Sequence, residues 1–238
     1  LFAYCYTMNY FLGVDAGGTK TKVVVIDEHS NILGEADGGP ANYHNLGIVE
    51  ATTNVISTIG QLLEKTKLAM DDLSWSTLGL VACDTQKDYT LLHSKFTTGP
   101  MQPLANKITV INDAKIGLYS GTLPPGIVVV CGTGSNVYGK NSQGLGAMAG
   151  NWGHFLGDKG SGYNLGQRMF QAVVAAYDGL GEETLLLTRL ENRLKVTSSR
   201  DIVDWYNDTQ PSVHLISDFA PLVLECAEEG DQVSKDLV

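Results

Sequence analysis

The sequence predicts an α/β protein of two like lobes, each built on a mixed sheet, with a second lobe that is incomplete. The first observation is a strand, a glycine-rich turn and a second strand at residues 12–27, and the next is a copy of this order at residues 126–138. An internal duplication of this kind indicates two structurally similar halves. In addition, apolar runs typical of strands alternate with helical patterns, which favours a mixed sheet with helices on its faces.

The first lobe is predicted to span residues 8–122. Three antiparallel strands open it, and apolar residues at three- and four-residue spacing then predict an amphipathic helix at about residues 48–67. Further strands are predicted at residues 77–83 and 107–111, with a helix between them and a short helix that ends near Ser120. The strand ends in this lobe are therefore where ligand-binding side chains are expected.

The second lobe is predicted to span residues 123–238, after a turn that contains Pro124 and Pro125. It repeats the three opening strands and then becomes mostly helical. Helices are predicted at about residues 162–177, 182–195, 199–206 and 212–229, and another opens at residues 231–235. By symmetry with the first lobe, we expect the closing strands of the second lobe to be missing from this chain.

The chain is acidic, with a formal net charge of -10 and a pI near 4.8. A nucleic acid or an anionic membrane would be repelled by such a protein except at a local basic patch. The basic residues form no patch of this kind, so we expect no nucleic-acid partner and no membrane partner. The apolar fraction of 43% is enough to form a globular core.

The cysteines are far apart in the sequence: Cys5, Cys83, Cys131 and Cys226. They lack the short paired spacing of a zinc site or a redox dithiol, which is typical of reduced, mostly buried thiols in a cytoplasmic protein. The apolar start has no basic leader region and no Met at position 1. We expect Met8 to be the natural start, residues 1–7 to be an extension, and the location to be cytoplasmic.

The glycine-rich turn of the first copy carries groups that suit phosphate. Gly17 and Gly18 have no Cβ, so the chain is predicted to take positive φ there and to point backbone N–H groups into one concavity. Thr19 adds a hydroxyl, Lys20 adds a cation, and Asp15 ends the strand where a hydrated divalent cation would be held. A plain β-hairpin turn is the alternative, since Gly-Gly between apolar runs is also typical of hairpins.

The turn of the second copy contains the same residue types: Gly132, Thr133, Gly134 and Ser135. When the two copies are superimposed in sequence, Gly134 falls on Gly18 and Ser135 falls on Thr19. Two glycine-rich turns that serve a shared polyphosphate are much more specific than one. We therefore predict that both turns bind the phosphates of a shared polyphosphate.

These stretches resemble the acetate kinase, hexokinase and actin superfamily, and within it the N-acetylglucosamine kinase branch of the BadF/BadG/BcrA/BcrD ATPase family. The resemblance lies in residues 13–21, 132–136 and 150–163. It implies a two-lobed ribonuclease H-like fold of the actin and hexokinase type, ATP as the phosphoryl donor and Mg²⁺ as the cofactor. It also implies that an adenosine-contacting glycine pair follows Val238, so we expect this chain to bind nucleotide weakly.

Asp113 is the candidate catalytic base and a substrate ligand. It ends a β-branched strand, and a carboxylate there can take the proton from a sugar hydroxyl as that hydroxyl attacks phosphate. The alternative is that Asp113 only caps the helix that follows, since Asn112-Asp113 is a fair N-cap signal. The residues alone leave both interpretations open, and the resemblance favours the base.

The candidate sugar ligands are Asn42, Trp152 and Asp158. The resemblance matches Asn42 to a sugar-binding asparagine, whose amide can both donate and accept, although it can also be an ordinary turn residue. Trp152 and Asp158 lie in a glycine-rich loop, where an indole can pack on the sugar and a carboxylate can bind two hydroxyls. The alternatives are a core anchor for Trp152 and a helix cap for Asp158. We expect His154 to be a structural histidine bonded to the loop backbone.

The leading hypothesis is an ATP-dependent kinase that phosphorylates the 6-hydroxyl of an amino sugar, with N-acetylglucosamine as the leading candidate. Asn151 and Lys159 depart from the residues that the family usually has there, which leaves the sugar open. The alternatives are an activator ATPase that drives electron transfer from an iron–sulfur cluster, and a non-catalytic sugar sensor. The expected partners are the sugar and ATP, with a homodimer left open.

Overall fold

The structure is a computed structural model, and it describes residues 8–121 and 123–238. Its contacts divide the chain into two compact units, of which unit 1 ends at Gly126 and unit 2 begins at Ile127. The predicted extension at residues 1–7, which includes Cys5, lies outside the described residues. The lobe boundary between residues 122 and 123 stays a prediction.

Unit 1 is organised around a sheet with the strand order β3-β2-β1-β4-β5. Its strands are β1 (Tyr10–Ala16), β2 (Thr21–Asp27), β3 (Ile32–Gly38), β4 (Leu73–Leu80) and β5 (Ile108–Asn112). The first three pair in antiparallel fashion, whereas β1 with β4 and β4 with β5 are parallel. The carboxyl ends of β1, β4 and β5 therefore lie at one edge of the sheet.

The core of unit 1 follows from simple alternation along the strands. In β1, Leu12, Val14 and Ala16 are buried, whereas Phe11 and Asp15 point to the opposite, exposed side. The amphipathic helix α2 packs on the buried side through its apolar stripe, which contains Val55, Ile59, Leu62 and Leu63. The helices of this unit are α1 (Tyr43–Leu46), α2 (Ile48–Thr66), α3 (Gln86–Phe96) and α4 (Asp113–Gly121).

The helix predicted at residues 48–67 is confirmed, but the strand predicted at residues 77–83 is misplaced. That strand, β4, begins at Leu73, because the segment pairs with β1 from Tyr10 onward despite its serines. It ends at Leu80, because Ala82 has a φ of 63° and the Cys83 N–H donates to the Leu80 carbonyl in a turn. Long-range pairing thus overrides the local apolar pattern.

Unit 2 begins with three strands: β6 (Gly126–Cys131), β7 (Ser135–Lys140) and β8 (Gly146–Gly150), in the order β6-β7-β8. β7 and β8 pair in antiparallel fashion, as β2 and β3 do in unit 1. Apolar side chains of β6 are exposed, with Ile127 at 73% and Val129 at 67%. Within the described chain, β6 has no counterpart of the parallel strand that pairs with β1.

The rest of unit 2 is helical. Its helices are α5 (Gly153–Leu156), α6 (Gly162–Tyr177), α7 (Leu185–Leu194), α8 (Ser199–Thr209), α9 (Val213–Ser217), α10 (Ala220–Glu228) and α11 (Gln232–Leu237). The helix predicted at residues 162–177 is confirmed, and the one predicted at residues 182–195 begins later, where the Thr184 hydroxyl accepts from the Leu186 N–H. Their core contains Met169, Leu186 and Val223.

The single helix predicted at residues 212–229 is wrong, because two helices occupy this stretch. α9 ends at Ser217 and α10 begins at Ala220. Pro221 lies in the first turn of α10, where its missing N–H is tolerated, whereas in the interior of one long helix its ring would clash with the preceding turn. The break lets α9 lie close to the second glycine-rich turn.

The predicted fold class is confirmed: the chain is α/β, and the opening strand triplet of unit 1 recurs in unit 2. The Cys83 and Cys226 thiols are buried and free, whereas the free Cys131 thiol is exposed. Among residues 8–121 and 123–238, no helix combines the length and apolarity that crossing a bilayer requires.

Candidate active site

At the edge of unit 1 where the parallel strands end, the charges of two carboxylates act on a third, Asp113. Asp15 is near the end of β1, Asp84 follows β4 and Asp113 follows β5. Burial raises the pKa of Asp113, and the negative charges of Asp15 and Asp84 raise it further, although a hydrogen bond from the Ala114 N–H opposes them. Asp113 therefore binds a proton more readily than an ordinary aspartate does.

Asp113 takes part in capping α4, as the capping interpretation predicts, but Asn112 does so as well. The Ala114 N–H donates to Oδ1 of Asp113 and to Oδ1 of Asn112, each over 2.9 Å. The buried Asn112 also donates from Nδ2 to Asp84 Oδ1 over 2.8 Å. Asn112 thus fixes the start of α4 and supports Asp84, while the role of Asp113 as a base stays a prediction.

The first glycine-rich turn, residues 17–20, is named phosphate loop 1. It joins β1 to β2 as a hairpin, and the Gly17 N–H donates to the Lys20 carbonyl over 2.8 Å. The expected positive φ is wrong, because neither Gly17 nor Gly18 lies in the left-handed region. A Cβ added to Gly18 would meet nothing within 4 Å, and Thr19 and Lys20 are exposed, so the turn is open to a ligand.

Phosphate loop 1 is bonded to the loop that carries Asn42. The Ala41 N–H donates to the Gly17 carbonyl over 2.9 Å, and the Thr21 hydroxyl donates to the Gly39 carbonyl over 2.8 Å. Asn42 caps α1, where its Oδ1 accepts from the His44 N–H over 3.0 Å. The turn role of Asn42 is therefore observed, and its contact with a sugar stays a prediction.

A buried carboxylate that the sequence analysis missed anchors the same loop. The Tyr43 hydroxyl donates to Asp88 Oδ1, and Asp88 Oδ2 accepts from the Thr85 N–H and the Thr85 hydroxyl, each over 2.8 Å. Burial opposes ionisation of Asp88, but these hydrogen bonds outweigh it and lower its pKa. The signal was available, since Thr85 and Asp88 have the spacing of a capping box.

Tyr43→Phe is expected to destabilise the protein by about 1.5–3 kcal/mol, the usual contribution of a hydrogen bond to a charged group. Burial and then Asp88 raise the pKa of Tyr43 to about 12. The contribution of the Tyr43 hydroxyl to stability is thus intact below the pKa of a free tyrosine, about 10. It is lost as the pH rises through the pKa that Tyr43 has in the folded protein. Urea unfolding at neutral pH measures the first effect, with the exposed Tyr89→Phe on α3 as the control.

A spectrophotometric titration checks the pKa itself. Tyr43→Phe should remove part of the tyrosinate signal that develops near the highest pH, and should leave the part from Tyr177, whose pKa burial and Glu191 also raise to about 12. Equal urea midpoints and identical titrations for wild type and Tyr43→Phe would contradict the assignment of Asp88 as an anchor.

The second glycine-rich turn, residues 132–135, is named phosphate loop 2, and residues 150–163 are named the sugar loop. In this part of unit 2, the Ser135 N–H donates to Asp158 Oδ1 over 3.1 Å. Asp158 is not the cap of α6, because the Ser161 hydroxyl performs that role and accepts from the Asn164 N–H. Trp152 is 71% exposed, so it is not a core anchor.

The expectation for His154 needs a correction. Its ring packs edge-on against the Tyr163 ring, with centroids 4.9 Å apart, in place of the expected hydrogen bond to the loop backbone. Both rings line an aromatic pocket of about 480 Å³ inside unit 2, together with Phe170 and Trp205 of α6 and α8. His154 is therefore part of an aromatic surface and is not a backbone clamp.

Two side chains of α9 lie beside phosphate loop 2 and were missed from the sequence. His214 Nδ1 is 3.5 Å from the Thr133 hydroxyl oxygen, and the Ser217 hydroxyl oxygen, which donates to the His214 carbonyl over 2.7 Å, is 3.4 Å from it. α9 is short, and about eighty residues separate it from the loop. Sequence spacing therefore gives no indication of this contact. Thr133 therefore has two polar neighbours from α9.

The residues at the carboxylate edge of unit 1 fit a hydrated magnesium ion better than a closed metal cage. Within the described residues, no group of three or more His, Cys, Asp and Glu side chains is placed to hold a metal by itself. Magnesium usually keeps several waters and binds through one or two carboxylates plus substrate phosphates. The exposed Asp15 beside phosphate loop 1 can provide such a carboxylate.

Together, the recurring strand triplet, the two glycine-rich turns and the carboxylate edge define an α/β protein of the hexokinase and actin type. The chain belongs to the BadF/BadG/BcrA/BcrD ATPase family, whose profile matches residues 12–238. The match includes both phosphate loops and the sugar loop.

Three of the similar proteins are named as amino sugar kinases. The chain is 33% identical over 236 residues to an N-acetyl-D-glucosamine kinase of Dictyostelium discoideum, covering 94% of this chain and 73% of that protein. It is 31% identical to an N-acetylmuramic acid/N-acetylglucosamine kinase of Clostridium acetobutylicum, covering 97% and 75%. A crystal structure named as a candidate N-acetylglucosamine kinase from Chromobacterium violaceum superimposes with a TM-score of 0.77 at 26% identity, covering 97% and 78%.

Proposed function

We propose that the protein transfers the γ-phosphoryl group of ATP to an amino sugar, and that the acceptor is the 6-hydroxyl of N-acetylglucosamine. The observation that carries the proposal is Asp113, a half-buried carboxylate with a raised pKa at the strand-end edge of unit 1. Family membership supports it, and so do the names of the relatives, which are kinases of N-acetylglucosamine and N-acetylmuramic acid.

Phosphoryl transfer requires little covalent chemistry from a protein, so positioning and charge are decisive. In the proposed reaction, Gly17, Gly18, Thr19 and Lys20 of phosphate loop 1 bind phosphate oxygens, as do Gly132, Thr133, Gly134 and Ser135 of phosphate loop 2. Asp15 holds magnesium through its water shell, and the ion neutralises phosphate charge when it is bound. The open space at Gly18 and at Gly132 supports a close approach of ligand to backbone.

Asp113 is the proposed base. The hydroxyl that attacks phosphorus must lose its proton, and an aspartate that binds protons more readily than usual is a better acceptor for it. The nearby charges of Asp15 and Asp84 favour this proton transfer, because they destabilise the ionised form of Asp113. Protonation of Asp113 relieves that repulsion as the reaction proceeds.

The proposed sugar ligands are Asn42 in unit 1, and Trp152 and Asp158 in unit 2. The indole of Trp152 is exposed and can pack on an apolar sugar face. The Asn151 side chain accepts from Asn136 Nδ2 over 3.3 Å, so it is part of the loop's own hydrogen bonding where the family usually has glycine. The sugar preference therefore has to be measured.

The proposed location is the cytoplasm. The choice between a monomer and a homodimer is left open. The activator ATPase and the sugar sensor stay as alternatives that the experiment separates. An iron–sulfur activator would need several accessible thiols, whereas among the described residues Cys83 and Cys226 are buried and only Cys131 is exposed.

The test is ADP release by the protein expressed from its own gene, with magnesium, ATP and a sugar panel. The panel contains N-acetylglucosamine, N-acetylmuramate, glucosamine and glucose. We expect release that depends on sugar and is fastest with N-acetylglucosamine. ADP release at the same rate with and without sugar would select the ATPase alternative. Saturable sugar binding without ADP release would select the sensor.

A further inference from the structure

The sugar loop and phosphate loop 2 are bonded to each other at several points within unit 2. The Gly162 N–H donates to the Gly132 carbonyl over 2.8 Å, and the Tyr163 N–H donates to the Thr133 carbonyl over 3.2 Å. The Ser135 hydroxyl donates to the Lys159 carbonyl over 2.9 Å. The two loops therefore cannot move independently without breaking these hydrogen bonds.

Asp158 brings a carboxylate into this set of contacts, and it lies against the phosphate loop. Its Oδ1 accepts from the Ser135 N–H, and a Cβ on Gly134 would lie 3.1 Å from its Oδ2. The backbone of Asp158 has a φ of 54°, in the left-handed region that aspartate adopts more readily than most other non-glycine residues. The hydrogen bond from the Ser135 N–H holds the carboxylate beside phosphate loop 2.

This contact has an electrostatic consequence for nucleotide binding. A backbone N–H of a glycine-rich turn is a donor for phosphate, but at Ser135 this donor is already bonded to a carboxylate. A negative charge at that position also repels the phosphates of a nucleotide. Without a sugar, Asp158 therefore disfavours nucleotide at phosphate loop 2.

A bound sugar changes this balance. Sugar hydroxyls that donate to Asp158 satisfy its oxygens, disperse its charge and weaken its hold on the Ser135 N–H. The repulsion toward phosphate falls, and the amide becomes available to the nucleotide. Because coupling between two ligands is reciprocal, bound nucleotide then raises sugar affinity by the same factor.

We propose that Asp158 makes nucleotide binding depend on the sugar, so that sugar occupancy raises nucleotide affinity at phosphate loop 2. This inference rests on the proposed function, in which Asp158 is a sugar ligand. It goes beyond that function because a residue that only binds sugar would leave nucleotide affinity unchanged when it loses its charge.

The experiment is calorimetric titration of the protein with the non-hydrolysable analogue AMP-PNP and magnesium, with and without saturating N-acetylglucosamine. In the wild type, we expect the sugar to tighten analogue binding about fivefold or more, the lower end of usual coupling between sites. In Asp158→Asn, which loses the negative charge but can still accept from the Ser135 N–H, we expect tighter analogue binding without sugar and a smaller further effect of sugar than in the wild type. The exposed Asp208→Asn on α8 should behave as the wild type does.

The outcomes are distinguishable. Equal analogue affinity with and without sugar in a wild type that binds both ligands overturns the coupling and leaves the proposed kinase intact. Absence of sugar binding to the wild type overturns both. Asp158→Asn that still shows the wild-type effect of sugar assigns the coupling to other groups and also overturns the proposal. Equal analogue affinity in the two wild-type titrations overturns the proposal even if the variant does not fold.

Discussion

Replacing Asp113 with asparagine is expected to lower sugar-dependent ADP release about 10²–10⁴-fold, the usual contribution of a general base. The amide introduced by Asp113→Asn would keep an oxygen that can accept from the Ala114 N–H, so the start of α4 should be preserved. It cannot accept the proton of the attacking hydroxyl. The loss should therefore occur in the catalytic rate, with little change in the binding of sugar or nucleotide.

The same substitution should not destabilise the protein. Because the folded pKa of Asp113 is raised, its contribution to stability is present below the pKa of an unfolded aspartate and is lost as pH rises through the folded value. At neutral pH the ionised side chain is thus a cost, and the neutral amide removes it. The thermal midpoint of Asp113→Asn is expected to equal or exceed that of the wild type.

Steady-state kinetics and thermal unfolding on the same samples check both statements, with the exposed Asp71→Asn as the control. The wild-type rate should also fall on acidification at a pH above the range of an ordinary aspartate, because the base must be ionised. A variant that keeps the wild-type rate would show that another group removes the proton. A lower midpoint with the same loss of rate would show a structural role instead.

Gly166→Ala is expected to destabilise unit 2 by about 1–3 kcal/mol, the usual cost of overpacking a tight contact. Gly166 lies in α6 where α9 crosses closely: an added Cβ would overlap the Ile216 carbonyl oxygen and would lie 3.0 Å from its carbonyl carbon. The backbone of α9 would have to shift. Since Ser217 and His214 of α9 contact Thr133, nucleotide affinity should fall together with stability.

Gly60→Ala is the matched control, because Gly60 also lies inside a helix but faces open space. There the same change should stabilise the protein by about 0.5–1 kcal/mol, since alanine is the better helix former. Hydrogen exchange of α6 and α2 peptides measures the two effects separately in the two units. Stabilisation by both substitutions would mean that α6 and α9 do not pack as described.

The elements that the sequence predicted well are those with a strong local signal. The helix at residues 162–177 has a serine cap and a regular apolar stripe, and its bounds match the structure. The strand triplet of unit 2 was predicted because it repeats that of unit 1. By contrast, β4 contains serines and is placed by pairing with β1, and the break before Pro221 depends on one residue in an apolar stretch.

For the candidate site, residue types were easier to predict than contacts. Asp113 and Asp158 were identified because carboxylates at strand ends and in glycine-rich loops suggest chemistry. The hydrogen bond between Asp158 and the Ser135 N–H, and the anchoring of Tyr43 by Asp88, join residues far apart in sequence. Only the folded chain brings such partners together, so no spacing rule could reveal them. The open space at Gly18 could not be predicted either, because it depends on the folded surroundings of the turn, and the positive φ expected there is not observed.

The central claim is that the γ-phosphoryl group passes from ATP to a sugar oxygen, and phosphorus NMR of the products tests it most directly. The protein would be incubated with magnesium, ATP and N-acetylglucosamine, and the new phosphorus signal correlated with the sugar protons. We predict a phosphate ester coupled to the two protons at carbon 6, absent in Asp113→Asn. Inorganic phosphate as the sole new signal would contradict the account, because it would mean that water is the acceptor.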